Sequence, residues 1–283
     1  MSTAVQPFAV STYSYQQRFA ARDAIARLRG RGYVDFEVMV FPGHLWPADT
    51  DAAARRELRR AVDACGARIG TLSIANNDLN IASAYPGLRT YSLDLLSDIV
   101  RLAGDLGVPG VVIGPGKPNP LFPLPRAQLV GYLHAALDAL CALAERTGTR
   151  ICMENMPVGF ISSTAELADA LDAYGNDGIG FVYDVANGHF VREDVRAALQ
   201  HVAARLTLLH VSDTNQTTYR HDRVGLGDVD FAVLPPVLAA LGHVARPVLE
   251  VISTHPDRDI DASAARLVEM GWGGQAAPGT RAA

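Results

Sequence analysis

Eight short apolar runs alternate with eight stretches of helical pattern along the whole chain, and this repetition leaves few folds open. The runs are Phe8–Tyr13, Tyr33–Phe41, Ala67–Ala75, Gly110–Gly114, Thr149–Glu154, Ile179–Asp184, Thr207–His210 and Pro247–Glu250. Helices are expected over Gln16–Arg29, Asp51–Cys65, Tyr91–Leu106, Arg126–Thr147, from the capping box Ser163-Thr164-Ala165-Glu166, over Glu193–Ala204, after Asp230 and over Asp257–Met270. Gly30, Gly66, Gly107, Gly148 and Gly242 punctuate the helix ends, where glycine suits the C-cap. Strand–helix alternation implies parallel strands joined by right-handed crossovers. At 283 residues the chain fits a single-domain α/β fold, the (β/α)8 TIM barrel, of typically ~250 residues. A doubly wound open sheet is the alternative, but no GxGxxG follows the first run, and no nucleotide cofactor is expected. The barrel is expected to occupy 1–271, leaving 272–283 as a loose tail of mostly small and polar residues.

Composition narrows the function by exclusion. A formal charge of −5 offers no basic footprint for nucleic acid. Lys117 is the single lysine among 25 basic residues, so lysine chemistry has one candidate. Cys65, Cys141 and Cys152 are widely spaced and odd in number, which reads as reduced core thiols. No apolar signal stretch and no run of ~18 apolar residues stands out, so a cytoplasmic protein without a membrane partner is expected.

Four of the runs end in metal-ligating side chains: Glu154 (TRICME), Asp184 (IGFVYD), His210 (TLLH) and Glu250 (PVLE). A buried parallel strand reads as a continuous apolar run, and a barrel keeps its chemistry at the C-terminal strand ends. Neighbouring strands lie ~4.8 Å apart, so four successive ends can ring one ion. Three carboxylates and an imidazole suit six-coordinate Mn²⁺ first, with Mg²⁺ or Co²⁺ as alternatives. Three buried carboxylates without a cation would repel one another and raise their own pKa values.

The segments ICMENMP, VYDVANGH, LLHVSD, HDRVGLGDVDF and VLEVIS resemble the xylose isomerase-like TIM barrel superfamily of sugar isomerases and epimerases. The resemblance covers essentially the whole chain, and the E…D…H…E order is similar to that of ketose 3-epimerases and inosose-processing enzymes. It implies that Glu154, Asp184, His210 and Glu250 hold one divalent cation. It further implies that Glu154 and Glu250 act as acid and base on a small polyhydroxyl substrate, through an enediolate stabilised by the ion. Homodimers or homotetramers are common among such barrels. Two positions depart from the epimerase pattern. Asn187 stands where a histidine is usual, and His221 stands roughly where an arginine precedes the Gly225-Leu226-Gly227 loop. In the similar endonuclease IV-type branch three zinc ions are held, but Tyr219 and Asn187 replace two of those ligands here.

Other candidates are substrate contacts at the barrel mouth: His44 and Trp46 (FPGHLWP), Lys117 (GPGKPNP), Asn187, His189, His221 and Arg223. Glu37, inside an apolar strand, needs a buried partner. Asp213 is a candidate to orient His210 or a nearby arginine, since metal-bound imidazoles need an outer partner. Asn76, Asn77 and Asn80 are weaker hydroxyl readers, and Tyr13, Tyr15 and Tyr183 either line the pocket or fill the barrel. Besides isomerase or epimerase chemistry, two readings stay open: a dehydratase or lyase using the same enolate on a keto-sugar, inosose or keto-glycoside, and a non-catalytic sugar-binding subunit.

Overall fold

The computed structural model describes residues 4–75 and 78–273; Asn76, Asn77 and 274–283 lie outside the described residues. Eight parallel strands close into a barrel in chain order: β1 Ala9–Ser11, β2 Asp35–Met39, β3 Arg68–Ser73, β4 Gly110–Ile113, β5 Arg150–Glu154, β6 Gly180–Asp184, β7 Leu206–Val211 and β8 Val248–Leu249. Between and after them run α1 Ala21–Arg29, α2 Ala52–Ala64, α3 Pro86–Leu106, α4 Arg126–Thr147, α5 Thr164–Tyr174, α6 Val185–Phe190, α7 Val195–His201, α8 Leu234–Ala240 and α9 Pro256–Glu269. β1 pairs with both β2 and β8, so the ring has no free edge.

The helical boundaries follow local chemistry. Asp51 caps α2 by accepting from Ala54 N at 2.8 Å, and Ser163 caps α5 by accepting from Glu166 N at 3.4 Å. The expected reciprocal half of that capping box is absent, because the Glu166 carboxylate turns to Arg126 instead, at 3.0 Å. α1 starts five residues later than the expected Gln16, after a single 3-10 turn at Tyr13–Tyr15. α6 has no counterpart among the expected helices. It begins directly at Asp184, whose side chain accepts from Asn187 N at 2.6 Å and so starts the helix itself.

The interior is layered by the two-residue period of the strands. Val112, Cys152 and Val182, with Leu208, form a small apolar cluster inside the ring. Two positions further along β5, β6 and β7 the same face carries Glu154, Asp184 and His210. Gly180 in β6 admits this packing, since a Cβ there would run into the Thr207 hydroxyl of β7. Outside the ring, Leu133, Leu137 and Leu140 of α4 are buried. By length and mean hydropathy of 1.4 this helix would suffice to cross a bilayer. Here it forms part of the barrel's outer layer, packed on α3 and β5.

The end of the described chain differs from expectation. Trp272, assigned to the loose tail, is buried: its indole N–H donates to Phe231 O at 2.9 Å and its ring meets Phe8 at 6.5 Å. Apolar area and a buried donor both hold it, so the barrel packing extends at least to this residue. Trp272→Ala is expected to destabilise the fold by about 3–5 kcal/mol, read as a lower urea midpoint at unchanged m-value.

Candidate metal and substrate site

β6 and β7 are in register at Asp184 and His210, which places the two side chains next to each other. Glu154 ends β5, and Glu250 follows β8, held by its N–H on Val211 O at 3.1 Å. Ligand atoms of Glu154, Asp184, His210 and Glu250 all lie within 4.8 Å of one another, and all four residues are buried. His210 Nδ1 is 3.2 Å from Glu154 Oε1, 3.4 Å from Glu250 Oε2 and 3.9 Å from Asp184 Oδ2.

The electrostatics are those of a buried, anion-rich cluster that could hold a cation. Burial pushes Asp184 up to about 6, with Glu250 adding repulsion against the opposing influence of His221 and His210. Burial likewise raises Glu154, which the neighbouring His210 partly offsets. Burial alone would lower the His210 imidazole, but Glu37, Glu250 and Glu154 outweigh it and hold the ring well above its ordinary value. Asp184 Oδ2 is buried without a hydrogen-bond partner, which is costly unless something positive meets it. Oxygen-rich donors with one imidazole fit a hard divalent cation.

The outer partner of His210 is Glu37. His210 Nε2 lies 3.1 Å from Glu37 Oε2, which also accepts from Thr71 Oγ1 at 2.9 Å. This leaves Nδ1 as the nitrogen turned toward the other carboxylates. Asp213, the expected partner, is used otherwise. Its carboxylate accepts from the N–H groups of Thr214 (2.9 Å), Gly225 (2.7 Å) and Val229 (3.3 Å), tying down the long loop after β7. The Gly225–Gly227 pair is explained by this contact. Gly225 sits at φ +94°, and a Cβ on Gly227 would collide with Thr214 O and Asp213 Oδ1.

Next to this cluster lies a pocket of about 100 Å³ lined by Tyr13, Met39, Glu154, Met156, Asn187, Tyr219, His221, Glu250 and Ile252, among others. Of the expected substrate contacts, Asn187 and His221 line it. His44 does not. Its Nε2 meets Thr12 Oγ1 at 2.9 Å and its Nδ1 meets Phe19 O at 2.6 Å, so both ring nitrogens anchor the loop after β2. Trp46 packs partly buried against the core before the 3-10 turn Pro47–Asp49. His189 pairs with Asp228 at 2.6 Å, and Arg223 approaches Asp259 at 4.0 Å. The Lys117 backbone is clamped by the Asn80 amide in both directions at 2.9 Å, so Asn80 ties two loops together. Tyr15 and Tyr183 are fully buried fillers, whereas Tyr13 reaches the pocket. Burial pushes the Cys152 thiol up to about 12, as suits an inert core cysteine.

Tyr219, marked in the sequence only as replacing a zinc ligand of the endonuclease IV-type branch, lines the pocket. Its hydroxyl donates to Asn187 Oδ1 at 2.7 Å and meets His221 Nε2 at 2.9 Å. A larger cleft of about 570 Å³ lies at the opposite end, lined by Pro7, Pro235, His243, Arg246 and Trp272 among others. Another cleft of about 620 Å³, lined by Asp138, Cys141 and Arg150 among others, is larger still; the converging carboxylates select the small one.

Two outcomes follow from this geometry. Glu37→Gln is expected to weaken Mn²⁺ binding roughly 10–100-fold, as for outer partners of metal-bound imidazoles, measured by titration calorimetry. The second concerns pH. Burial pushes Asp184 from its ordinary 3.8 up to about 6. Its raised value favours the folded, metal-free protein below the unfolded pKa, and that contribution is lost as pH rises through about 6. His210, also raised, acts in the same direction. Cation binding is therefore expected to release protons near pH 6 and to tighten as pH rises through that window. Calorimetry in two buffers of different ionisation enthalpy measures the release.

Residues 25–270 match the family model described as xylose isomerase-like TIM barrel. Two uncharacterised proteins of Methanocaldococcus jannaschii are similar in sequence: one is 23% identical over 172 residues, covering 59% of each chain, and the other 24% identical over 165 residues, covering 57% of this chain and 62% of the relative. The chain thus matches about three fifths of the length of these curated relatives. Among solved structures, a D-tagatose 3-epimerase-like protein superposes with a TM-score of 0.81 at 19% identity, covering 93% of this chain and 96% of the other. An L-ribulose 3-epimerase gives 0.78 at 18% identity, covering 95% and 94%. The 3-keto-D-glucoside 4-epimerase of E. coli gives 0.76 at 17% identity, covering 93% and 99%. At these identities the structural likeness speaks for the fold. With the family model spanning most of the barrel, the chain belongs to the xylose isomerase-like TIM barrel family.

Proposed function

We propose that the protein is a divalent-metal-dependent isomerase or epimerase of a small keto-sugar or cyclitol, working by proton transfer next to a carbonyl. The observation that carries this reading is the buried cluster of Glu154, Asp184, His210 and Glu250, two of whose glutamates also line the pocket. Relatives of similar fold are named as epimerases of ketoses and keto-glycosides, and the chemistry of the cluster suits that class. The four side chains would hold Mn²⁺, Mg²⁺ or Co²⁺ and leave two positions of a six-coordinate ion open. When bound, the cation supplies the positive charge that stabilises an enediolate next to the carbonyl.

The chain's own groups do the rest. Glu154 and Glu250 enter from strands three apart around the ring, and both carboxylates reach the pocket. One takes the proton from the carbon beside the carbonyl, and the C–H electron pair becomes the enediolate double bond. The other returns a proton to the opposite face, which inverts that carbon. Burial raises Glu154, which suits a carboxyl that must carry a proton during turnover. Asn187, Tyr219 and His221 supply polar groups against which substrate hydroxyls would bind, and Met39, Met156 and Ile252 add apolar lining.

The test is exchange with solvent. Mn²⁺-loaded protein incubated with a panel of ketoses and keto-glycosides in D₂O is expected to place deuterium beside the carbonyl, seen by NMR. Glu154→Gln and Glu250→Gln are each expected to slow exchange by about 10²–10⁴-fold. Absence of exchange across the panel would count against the reading, and an enone absorbance would point to elimination instead.

A further inference from the structure

We propose that His221 Nδ1 is a fifth protein donor to the cation held by Glu154, Asp184, His210 and Glu250. The inference rests on the metal site of the proposed function, not on the reaction assigned to it. Its first support is a correspondence of distances. His221 Nδ1 lies 3.3 Å from Glu250 Oε2 and 3.8 Å from Asp184 Oδ2. His210 Nδ1 lies 3.4 and 3.9 Å from the same two oxygens. Two imidazoles therefore approach one carboxylate pair with matching geometry. Adjacent donors on an octahedral ion with bonds of ~2.1 Å stand ~3 Å apart, so a small contraction around an ion brings either nitrogen into coordination. Asp184 Oδ2, which both rings approach, is buried and has no hydrogen-bond partner.

The second support is the way each ring is held from behind. Metal-bound imidazoles give their other N–H to an outer acceptor. His210 does this through Nε2 to Glu37. For His221 the direction is set by a chain of donors. Asn187 Nδ2 donates to Asn155 O at 2.8 Å, which turns Asn187 Oδ1 toward Tyr219. An amide oxygen only accepts, so the one hydroxyl proton of Tyr219 goes to it, at 2.7 Å. The 2.9 Å contact between Tyr219 and His221 then requires Nε2–H of His221 to donate. Nδ1 is left facing the carboxylates, as in His210.

Ser212 Oγ, 3.0 Å from His221 Nδ1, is the other polar neighbour of that nitrogen. It is a rotatable hydroxyl and turns away when the lone pair is used. Edge-on packing of Tyr219 against His221 at 5.3 Å, and tilted packing of Phe190 against Tyr219 at 5.2 Å, holds the pair in place. With His221 engaged, a six-coordinate ion keeps one position, so substrate would meet it through a single oxygen.

Pulsed electron paramagnetic resonance on the full chain loaded with one equivalent of Mn²⁺ counts the coordinated imidazole nitrogens. Two nitrogen couplings are expected, falling to one in His221→Gln. Tyr219→Phe keeps the ring but removes its outer partner. It is expected to retain two couplings while weakening Mn²⁺ binding about 10-fold, a check that stands even if His221→Gln misfolds. A single coupling in the unaltered protein, unchanged in His221→Gln, overturns the inference and leaves the four-ligand site standing. Two Mn²⁺ bound per chain also overturns it, since His221 would then serve a separate ion. No Mn²⁺ binding at all removes the metal reading itself, and the inference with it.

Discussion

Three carboxylates and an imidazole brought within 4.8 Å of one another in a buried barrel mouth are the constraint on which the rest of this molecule depends. Left to themselves, such groups take up protons: burial first, and repulsion between the acids second, raises Asp184 and Glu154, and the surrounding carboxylates hold His210 well above its ordinary value. The arrangement persists because the barrel is closed and tightly packed. β5, β6 and β7 deliver their ends to neighbouring points, and the apolar cluster of Val112, Cys152 and Val182 supports them from below. Strain of this kind, kept by a rigid scaffold, is what a cation relieves.

Around the cluster runs an outer layer of polar contacts whose effect is orientation. Glu37, itself held by Thr71, holds His210 from across the ring. Asn155 is doubly used: its Nδ2 donates to Asp184 O at 3.1 Å and its Oδ1 accepts from Asp184 N at 2.7 Å. These bonds fix the backbone at the end of β6, where Asp184 both caps α6 and faces the other acids. Asn187, on the first turn of α6, passes that positioning to Tyr219 and His221. One short helix thus connects the acid cluster to the polar groups of the pocket. The loop carrying Tyr219 and His221 is held in turn by Asp213 and by the antiparallel bridge between Asp213 and Asp222.

Several residues singled out by type alone proved to have structural duties. His44 and Asn80 each satisfy backbone or hydroxyl groups in loops that would otherwise leave them unpaired. Asp213 organises a loop instead of an imidazole. Polar residues on barrel loops read alike in sequence whether they face a ligand or a neighbouring loop. The difference lies in where the next loop passes.

The sequence by itself determined the alternation of strands and helices, the ring that follows from it, and the placing of three carboxylates and an imidazole at the ends of β5 and β6, near the end of β7 and in the residue after β8. Those features are local: an apolar run of a few residues ending in one polar side chain is visible without knowing what lies beside it. Only the tertiary structure decided that Glu37, 173 residues from His210, is its partner, that Trp272 belongs to the core, and that Tyr219 joins Asn187 to His221. Closing the barrel brings β2 and β7 face to face across its interior, and folding the β7 loop back brings Tyr219 over α6. No local pattern encodes such pairings, because they arise from the meeting of segments that the chain itself keeps far apart.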